Sequence, residues 1–228
     1  MIEKLKWDSE FFGYNVGKLV IGEGELINEQ ALLSDAKGYK VVYLVSDKEI
    51  DFKSARLKLV DIKTRLTKKI TSGKEKIRKV HQFENIESDC DQLEGLALQS
   101  GAYSRFKNDS HFTHNEFERL YIKWMHDSIY KVIADNVIVF KEDGNYKGFI
   151  SVKFREIFSE IGLIAVDEKS RGKGIGKGLL DYVNNLTLDK GLYEIQVTTQ
   201  FENTTAMNLY AKAGYNIISK KYMYHLWN

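Results

Sequence analysis

Ile164-Ala165-Val166-Asp167-Glu168-Lys169-Ser170-Arg171-Gly172-Lys173-Gly174-Ile175-Gly176-Lys177-Gly178-Leu179-Leu180 is the most informative stretch of this chain. An apolar strand runs into a glycine-rich, cationic loop and from there directly into a helix. Glycines at alternate positions let backbone N–H groups turn toward one point, and let an anion approach with no Cβ in the way. The start of a helix adds partial positive charge and free donors. Arg171, Lys173 and Lys177 add full charges. The segment reads as a cradle for a diphosphate; the plainer alternative is a glycine-rich turn carrying surface lysines. Two common nucleotide loops do not fit. A G-x-G-x-x-G motif begun at Gly172 needs glycine at 177, which is Lys, and begun at Gly174 it needs glycine at 179, which is Leu. A Walker A loop needs Ser or Thr after Gly176-Lys177, and Gly178 stands there.

Downstream, Leu192–Gln200 reads as a strand, Asn203–Ala213 as a helix ended by Gly214, and Tyr215–Trp227 as the last strand. Asn203 is a good helix N-cap, and Tyr210 lies two turns further along the same face. Tyr210 therefore either meets what lies over the loop or serves as a core tyrosine. Upstream, Glu160–Asp167 is a strand, and Val137–Lys141 with Tyr146–Glu156 forms a hairpin turning at Asp143-Gly144. Thr113 and Glu116 fit a capping box ahead of an amphipathic helix through Phe117, Leu120, Tyr121, Trp124, Met125, Ser128 and Ile129. In the first half, Gly17–Ile21 and Val41–Val45 read as strands around a helix at Glu25–Lys37 stopped by Gly38. A long strand follows near Leu57–Ile70, then a turn at Ser72-Gly73-Lys74 and an acidic stretch at Glu84–Asp91. The expected organisation is a mixed-sheet α/β chain, with a small α/β domain at 1–82 and a larger one at 83–228.

With 228 residues, 43% apolar, 29% charged and no proline, the composition is globular and excludes collagen-like and polyproline segments. No apolar run is long enough to span a bilayer, and the first residues lack a signal-peptide stretch, so a cytoplasmic protein is expected. The single cysteine, Cys90, lies among acidic residues, which disfavour a thiolate. His111 and His114 lack the partners of a metal set, so no metal is expected. The net charge of +2 hides a basic stretch: Lys53–Lys79 holds eleven Lys and Arg against Asp61 and Glu75. Val60, Ile62, Thr64, Leu66 and Ile70 fall on one parity, with Asp61, Lys63, Arg65, Thr67 and Lys69 on the other. That is the period of a half-buried strand with a solvated basic face, the alternative being a surface for an anionic partner. Trp7 and Phe12 are expected in the core.

Arg171-Gly172-Lys173-Gly174-Ile175-Gly176 resembles the acetyl-CoA diphosphate signature of the GNAT acetyltransferase superfamily. Asn203-Thr204-Thr205-Ala206-Met207-Asn208-Leu209-Tyr210-Ala211-Lys212-Ala213-Gly214-Tyr215 is similar to its Asn-x-x-Ala-x-x-Leu-Tyr-x-x-x-Gly-Phe/Tyr ending. Together the two cover about residues 135–228. Trp7-Asp8-Ser9-Glu10-Phe11-Phe12-Gly13, Ser104-Arg105-Phe106 and Val197-Thr198-Thr199-Gln200 resemble the dTDP-fucosamine acetyltransferase family, in which a small N-terminal domain precedes a GNAT domain.

The resemblance implies a GNAT fold and direct transfer of acetyl from acetyl-CoA to an amine, most simply that of a nucleotide-linked amino-deoxysugar. The rival acceptor is a protein N-terminus or lysine, and a third reading is an acyl-CoA-binding regulator without turnover. Ile164, Ala165 and Val166 would hold the thioester and pantetheine arm. Arg171, Gly172, Lys173, Gly174, Ile175, Gly176 and Lys177, with Asn203, would hold the rest of coenzyme A. Tyr210 would protonate the leaving sulfur. Glu160 matches the base of some members; otherwise it is a strand-end surface carboxylate. Arg105 would pair with the acceptor's diphosphate, and Phe106 or Tyr103 would stack on its base or sugar. No nucleic-acid or membrane partner is expected. A homodimer is expected through an exposed edge at the C-terminal strand.

Overall fold

The computed structural model describes residues 1–71, 79–84 and 90–228. The described chain runs β1 (Glu3–Lys4), α1 (Lys6–Phe12), β2 (Val16–Ile21), α2 (Glu29–Asp35), β3 (Val41–Ser46), β4 (Leu57–Lys69) and β5 (Val80–Gln82). It continues with α3 (Cys90–Ser100), α4 (Arg105–Asn108), α5 (Glu116–Ile129), β6 (Asn136–Glu142), β7 (Asn145–Phe154) and β8 (Ser159–Val166). Then come α6 (Ile175–Asp189), β9 (Glu194–Gln200), α7 (Thr204–Lys212) and β10 (Asn216–Trp227). Among the described residues the strands form one mixed sheet, in the order β1-β2-β3-β10-β4-β9-β8-β7-β6-β5. The parallel pairs are β2 with β3 and β8 with β9, each joined through a helix; the other pairs are antiparallel. The sheet passes across residue 82 without a break, because β10 lies between β3 and β4, and β4 pairs with β9.

The two-residue period of the strands sorts side chains onto two covered faces. In β6, Ile138 packs with Leu179, Leu180 and Val183 of α6, whereas Val137 and Val139 pack with Leu93, Leu96 and Met125 of α3 and α5. The α5 stripe therefore closes one face and α6 the other. The hairpin turns at Asp143 and Gly144, both at positive φ (51° and 77°), as the Asp-Gly pair requires.

Several expectations are corrected. The helix expected at 25–37 begins later, where the Asn28 side chain accepts from the Ala31 amide, and its last turn at Ala36–Gly38 is a 3-10 helix. The capping box at Thr113 does not form. Asn115, at φ 55°, precedes the helix, and the Glu116 carboxylate accepts from the His114 amide. Phe12 is in the core, but Trp7 is 44% exposed and stacks on Phe11. β10 pairs with β4 along most of its length but with β3 only from Tyr222 to Trp227, so among the described residues the edge expected at the C-terminal strand is confined to residues 216–221. The turn at Ser72-Gly73-Lys74 lies outside the described residues.

Candidate active site

The site begins where the sheet opens. β8 and β9 pair only from Ser159 to Ile161 and from Ile195 to Val197. Beyond that point β9 continues along β4, and residues 162–166 of β8 have no strand partner on that side among the described residues. A parallel pair that parts in mid-strand leaves backbone donors and acceptors facing a slot, which a ligand or water must satisfy. On its other edge β8 carries a bulge, because Gly162 and Leu163 together oppose Ser151 of β7. The Ser151 hydroxyl accepts from the Leu163 amide at 2.8 Å. A Cβ on Gly162 would sit 2.9 Å from that hydroxyl oxygen, so a larger residue there would push the Ser151 hydroxyl aside.

A cleft of about 260 Å³ occupies the slot. Gly162, Leu163 and Ile164 wall it on one side, and Thr198, Thr199 and Gln200 on the other. Asn203, Ala206 and Tyr210 of the α7 segment reach it from one face of the sheet. Ser104, Arg105, Tyr121 and Trp124 reach it from the opposite face. A second section of the cleft, reached past Trp124, Gly162, Leu163 and Thr198, carries Lys153, Arg155 and Glu160. A third, outer crevice meets the first at Asp61 and Gln200 and is lined by Tyr103, Asp109 and Glu202.

The cationic loop lies at the C-terminal end of β8. Gly172 and Gly174 lie at φ 78° and 79°, and Gly174 is the N-cap of α6 with no side chain capping that end. The first-turn amides of α6 are therefore available to an anion. Arg171, Gly172, Lys173 and Gly174 are exposed, and the Arg171 Nε donates to the Val166 carbonyl at 3.2 Å. Lys177 pairs with Asp181 one turn along the helix. Ile175 is buried in the core, and Gly176 packs on Leu209 of α7. The loop is pinned from α3, where Gln99 accepts from the Glu168 amide. Ala165 turns into the core below the strand, while Ile164 and Val166 are half-buried on the other face.

Asn203 caps α7, its side chain accepting from the Ala206 amide at 3.0 Å, and lines the cleft. Tyr210 is 1% exposed and also lines the cleft; burial pushes its hydroxyl well above the usual phenol range, so the proton stays on oxygen at neutral pH. Glu160 lies in the second section, where its carboxylate accepts from the Nε and Nη2 of Arg155 at 2.8 and 2.6 Å. Tyr103 lies in the outer crevice. Phe106 touches the cleft but is buried against Phe12, Phe112 and Trp124.

Arg105 is 7% exposed. Its guanidinium lies over the rings of Tyr43 and Phe106 at 4.3 and 4.5 Å, and its Nε and Nη1 have no hydrogen-bond partner among the described residues. A buried cation with orphaned donors is costly, and the usual resolution is an anion or water in the adjoining space. Lys63 lines the same section, its ammonium lowered to about 8 by the charge of Arg105 and by burial. Asp61 is 9% exposed, and burial raises its carboxyl to about 6 against the pull of Lys63 and Arg105. This corrects the expectation of a solvated basic face on β4. The two parities divide as expected, but α4 and α5 cover the Asp61–Lys63 side. The sequence reading missed both residues as members of the site, because only the packing of α4 against β4 brings them to the cleft.

Residues 98–215 match the model of the acetyltransferase (GNAT) family. The spore coat polysaccharide biosynthesis protein SpsD of Bacillus subtilis is 24% identical over 139 residues, covering 61% of this chain and 48% of that protein. The matched stretches span less than half the length of the curated relatives. Among solved structures, a conserved protein of unknown function from Staphylococcus epidermidis superposes with a TM-score of 0.62 at 14% identity, over 94% of this chain and 84% of that one. A GNAT-family acetyltransferase from Colwellia psychrerythraea superposes with a TM-score of 0.54 at 13% identity, over 86% and 70% of the two chains.

Proposed function

The chain belongs to the acetyltransferase (GNAT) family, and from that membership we propose that it transfers acetyl from acetyl-CoA to the amine of a small anionic acceptor, a nucleotide-linked amino sugar. The exposed loop 171–174 and the uncapped start of α6 fit the diphosphate of coenzyme A, and the open edge of Gly162–Val166 fits its pantetheine arm. Bound there, acetyl-CoA supplies an activated thioester. The chain's own groups do the rest. The α7 segment brings Tyr210 to the cleft from the cofactor side, where its retained proton can pass to the leaving sulfur. The α4 segment brings Arg105 from the opposite side.

The observation that carries the acceptor class is the pair of cations on the wall of the cleft that Tyr210 also lines: buried Arg105, whose Nε and Nη1 have no hydrogen-bond partner among the described residues, and half-buried Lys63. Asp61 and Asp8 offset part of this positive charge, and a diphosphate or another anionic group on the acceptor would supply the hydrogen-bond acceptors that Arg105 lacks. The name of SpsD, a polysaccharide biosynthesis protein, supports a sugar acceptor. On this reading the division near residue 82 is one of labour: residues 1–82 supply Asp61 and Lys63 to the acceptor wall, and 83–228 carry the cofactor loop, Tyr210 and Arg105.

The test is release of free coenzyme A thiol with a panel of dTDP- and UDP-linked amino sugars, uncharged amino sugars and N-terminal peptides. Nucleotide amino sugars are expected to be turned over at least tenfold better than their uncharged counterparts, and Arg105→Ala to raise the acceptor KM while sparing acetyl-CoA binding. Turnover of N-terminal peptides alone would replace the sugar reading.

A further inference from the structure

We infer that Asp61 is the proton acceptor for the attacking amine: it stands where the inner cleft meets the outer crevice, it shares the inner cleft with Tyr210, and it forms no ion pair among the described residues. The inference rests on the transfer reading above and adds a catalytic residue to it.

A slip in the sheet aims this side chain. Along β4, Leu57 and Leu59 oppose Leu226 and Tyr224 of β10, and those two β10 residues pack toward α2. Between Leu59 and Asp61 the register slips by one residue, so that Asp61 opposes Met223. In a regular strand Asp61 would share the face of Leu57 and Leu59. The extra residue, Val60, turns it to the side of α4 and the cleft, as bulges beside functional sites do. A carboxylate delivered to a buried position by a bulge, with no ion pair among the described residues, serves packing poorly.

The surroundings suit a base. Lys63 of β4, Arg105 of α4 and a backbone hydrogen bond at Ile62 favour the carboxylate, and Glu202 beyond β9 opposes it. Tyr121 of α5 lines the inner cleft beside it, and Lys58, Tyr103 and Asp109 line the outer crevice. Their balance with burial leaves Asp61 ionised at neutral pH, yet more basic than an exposed aspartate. Glu160, by contrast, lies in the second section and is held by both donors of Arg155. As the amine nitrogen bonds to the acetyl carbon, one of its protons passes to the Asp61 carboxylate. As the carbon–sulfur bond breaks, the Tyr210 proton passes to sulfur. The proton on Asp61 then returns to Tyr210 through solvent, leaving an amide, a thiol and an unchanged enzyme.

Asp61→Asn, Asp61→Glu and Lys63→Met in the full chain test this, with two readouts. Carbon-13 NMR of the apo protein should show one aspartate titrating near 6, absent in Asp61→Asn. With the best acceptor of the panel, the acidic limb of kcat/KM should fall near the same pH. Asp61→Asn should lower kcat about 10²-fold and abolish the limb while keeping the acetyl-CoA-dependent rise in Tm. Asp61→Glu should restore part of kcat together with the limb, and Lys63→Met should move the limb to higher pH. A wild-type pH profile in Asp61→Asn, or an Asp61 midpoint below about 5, would overturn the assignment alone. Wild-type protein inert toward every amine would overturn the transfer reading and this base together.

Discussion

Tyr210 shows what one residue can and cannot disclose. Its spacing from Asn203 puts it two turns along the capped face of α7, and spacing alone leaves it either at the ligand or in the core. In the structure it is both: nearly inaccessible, yet part of the cleft wall. Burial also makes its hydroxyl a reluctant acid, which on the proposed reading gives up its proton only as negative charge develops on the leaving sulfur. Tyr210→Phe is therefore expected to lower kcat by 10- to 100-fold while leaving the acetyl-CoA affinity within about threefold. Rapid-mixing measurement of thiol release, with calorimetric titration of coenzyme A, checks both halves. A tyrosine with only a packing role would give the reverse, unchanged kcat with lowered stability. Asp61 and Lys63 were legible only as alternating charges. Nothing in their local sequence says that a short helix forty residues away closes over them.

At the scale of elements, the segment from β8 to α6 was readable because its requirements are local. The glycine at 174 takes φ 79°, a conformation that costs an L-residue about 1–2 kcal/mol, and the helix that follows has no capping side chain to compete with an anion. Gly174→Val is expected to cost about that much stability and to abolish the rise in Tm that acetyl-CoA gives the wild type. Differential scanning fluorimetry with and without acetyl-CoA measures both, and an undiminished rise would remove the loop from the binding site. Short or weakly patterned elements were not legible. α1, α3, α4, β1 and β5 escaped the sequence reading, being too short or too irregular in period to stand out, and α4 carries Arg105 of the cleft wall. The capping box failed for a related reason. Thr113 and Glu116 have the right spacing, but the chain starts its helix at Glu116, whose carboxylate turns back to the His114 amide.

Across the whole molecule, the last strand ties the sheet together. β10 enters between β3 and β4, and its end meets a cluster in which Asp109 accepts from buried His225, half-buried Trp227 and exposed His111. Burial alone would raise Asp109, but these hydrogen bonds outweigh it and hold its carboxyl well below the usual range. Burial lowers His225 to about 4, against the raising effect of Asp109. The unfolded chain thus takes up the His225 proton first as the pH falls from about 6.5. The stability His225 confers as a neutral group is present above that pH and lost toward 4, and the depressed Asp109 extends the loss below. Asp61, whose carboxyl is raised, has the opposite slope between about 4 and 6. Comparing wild type with His225→Gln isolates the histidine: the gap in urea unfolding free energy is expected to narrow from pH 7 to pH 5. A constant gap, or a His225 imidazole already protonated at pH 5 by nitrogen-15 NMR, would contradict this account.

The amino-acid sequence by itself determined the alternation of strands and helices from α5 onward, the glycine-rich cationic loop and the capped helix bearing Tyr210, because each depends on contacts within a few residues. The sheet order, the interior place of β10, the parting of β8 from β9 and the gathering of Asp61, Lys63 and Arg105 in one cleft were decided only by the tertiary structure. They join segments far apart in the chain, and a residue's own neighbours carry no record of which distant strand or helix will cover it.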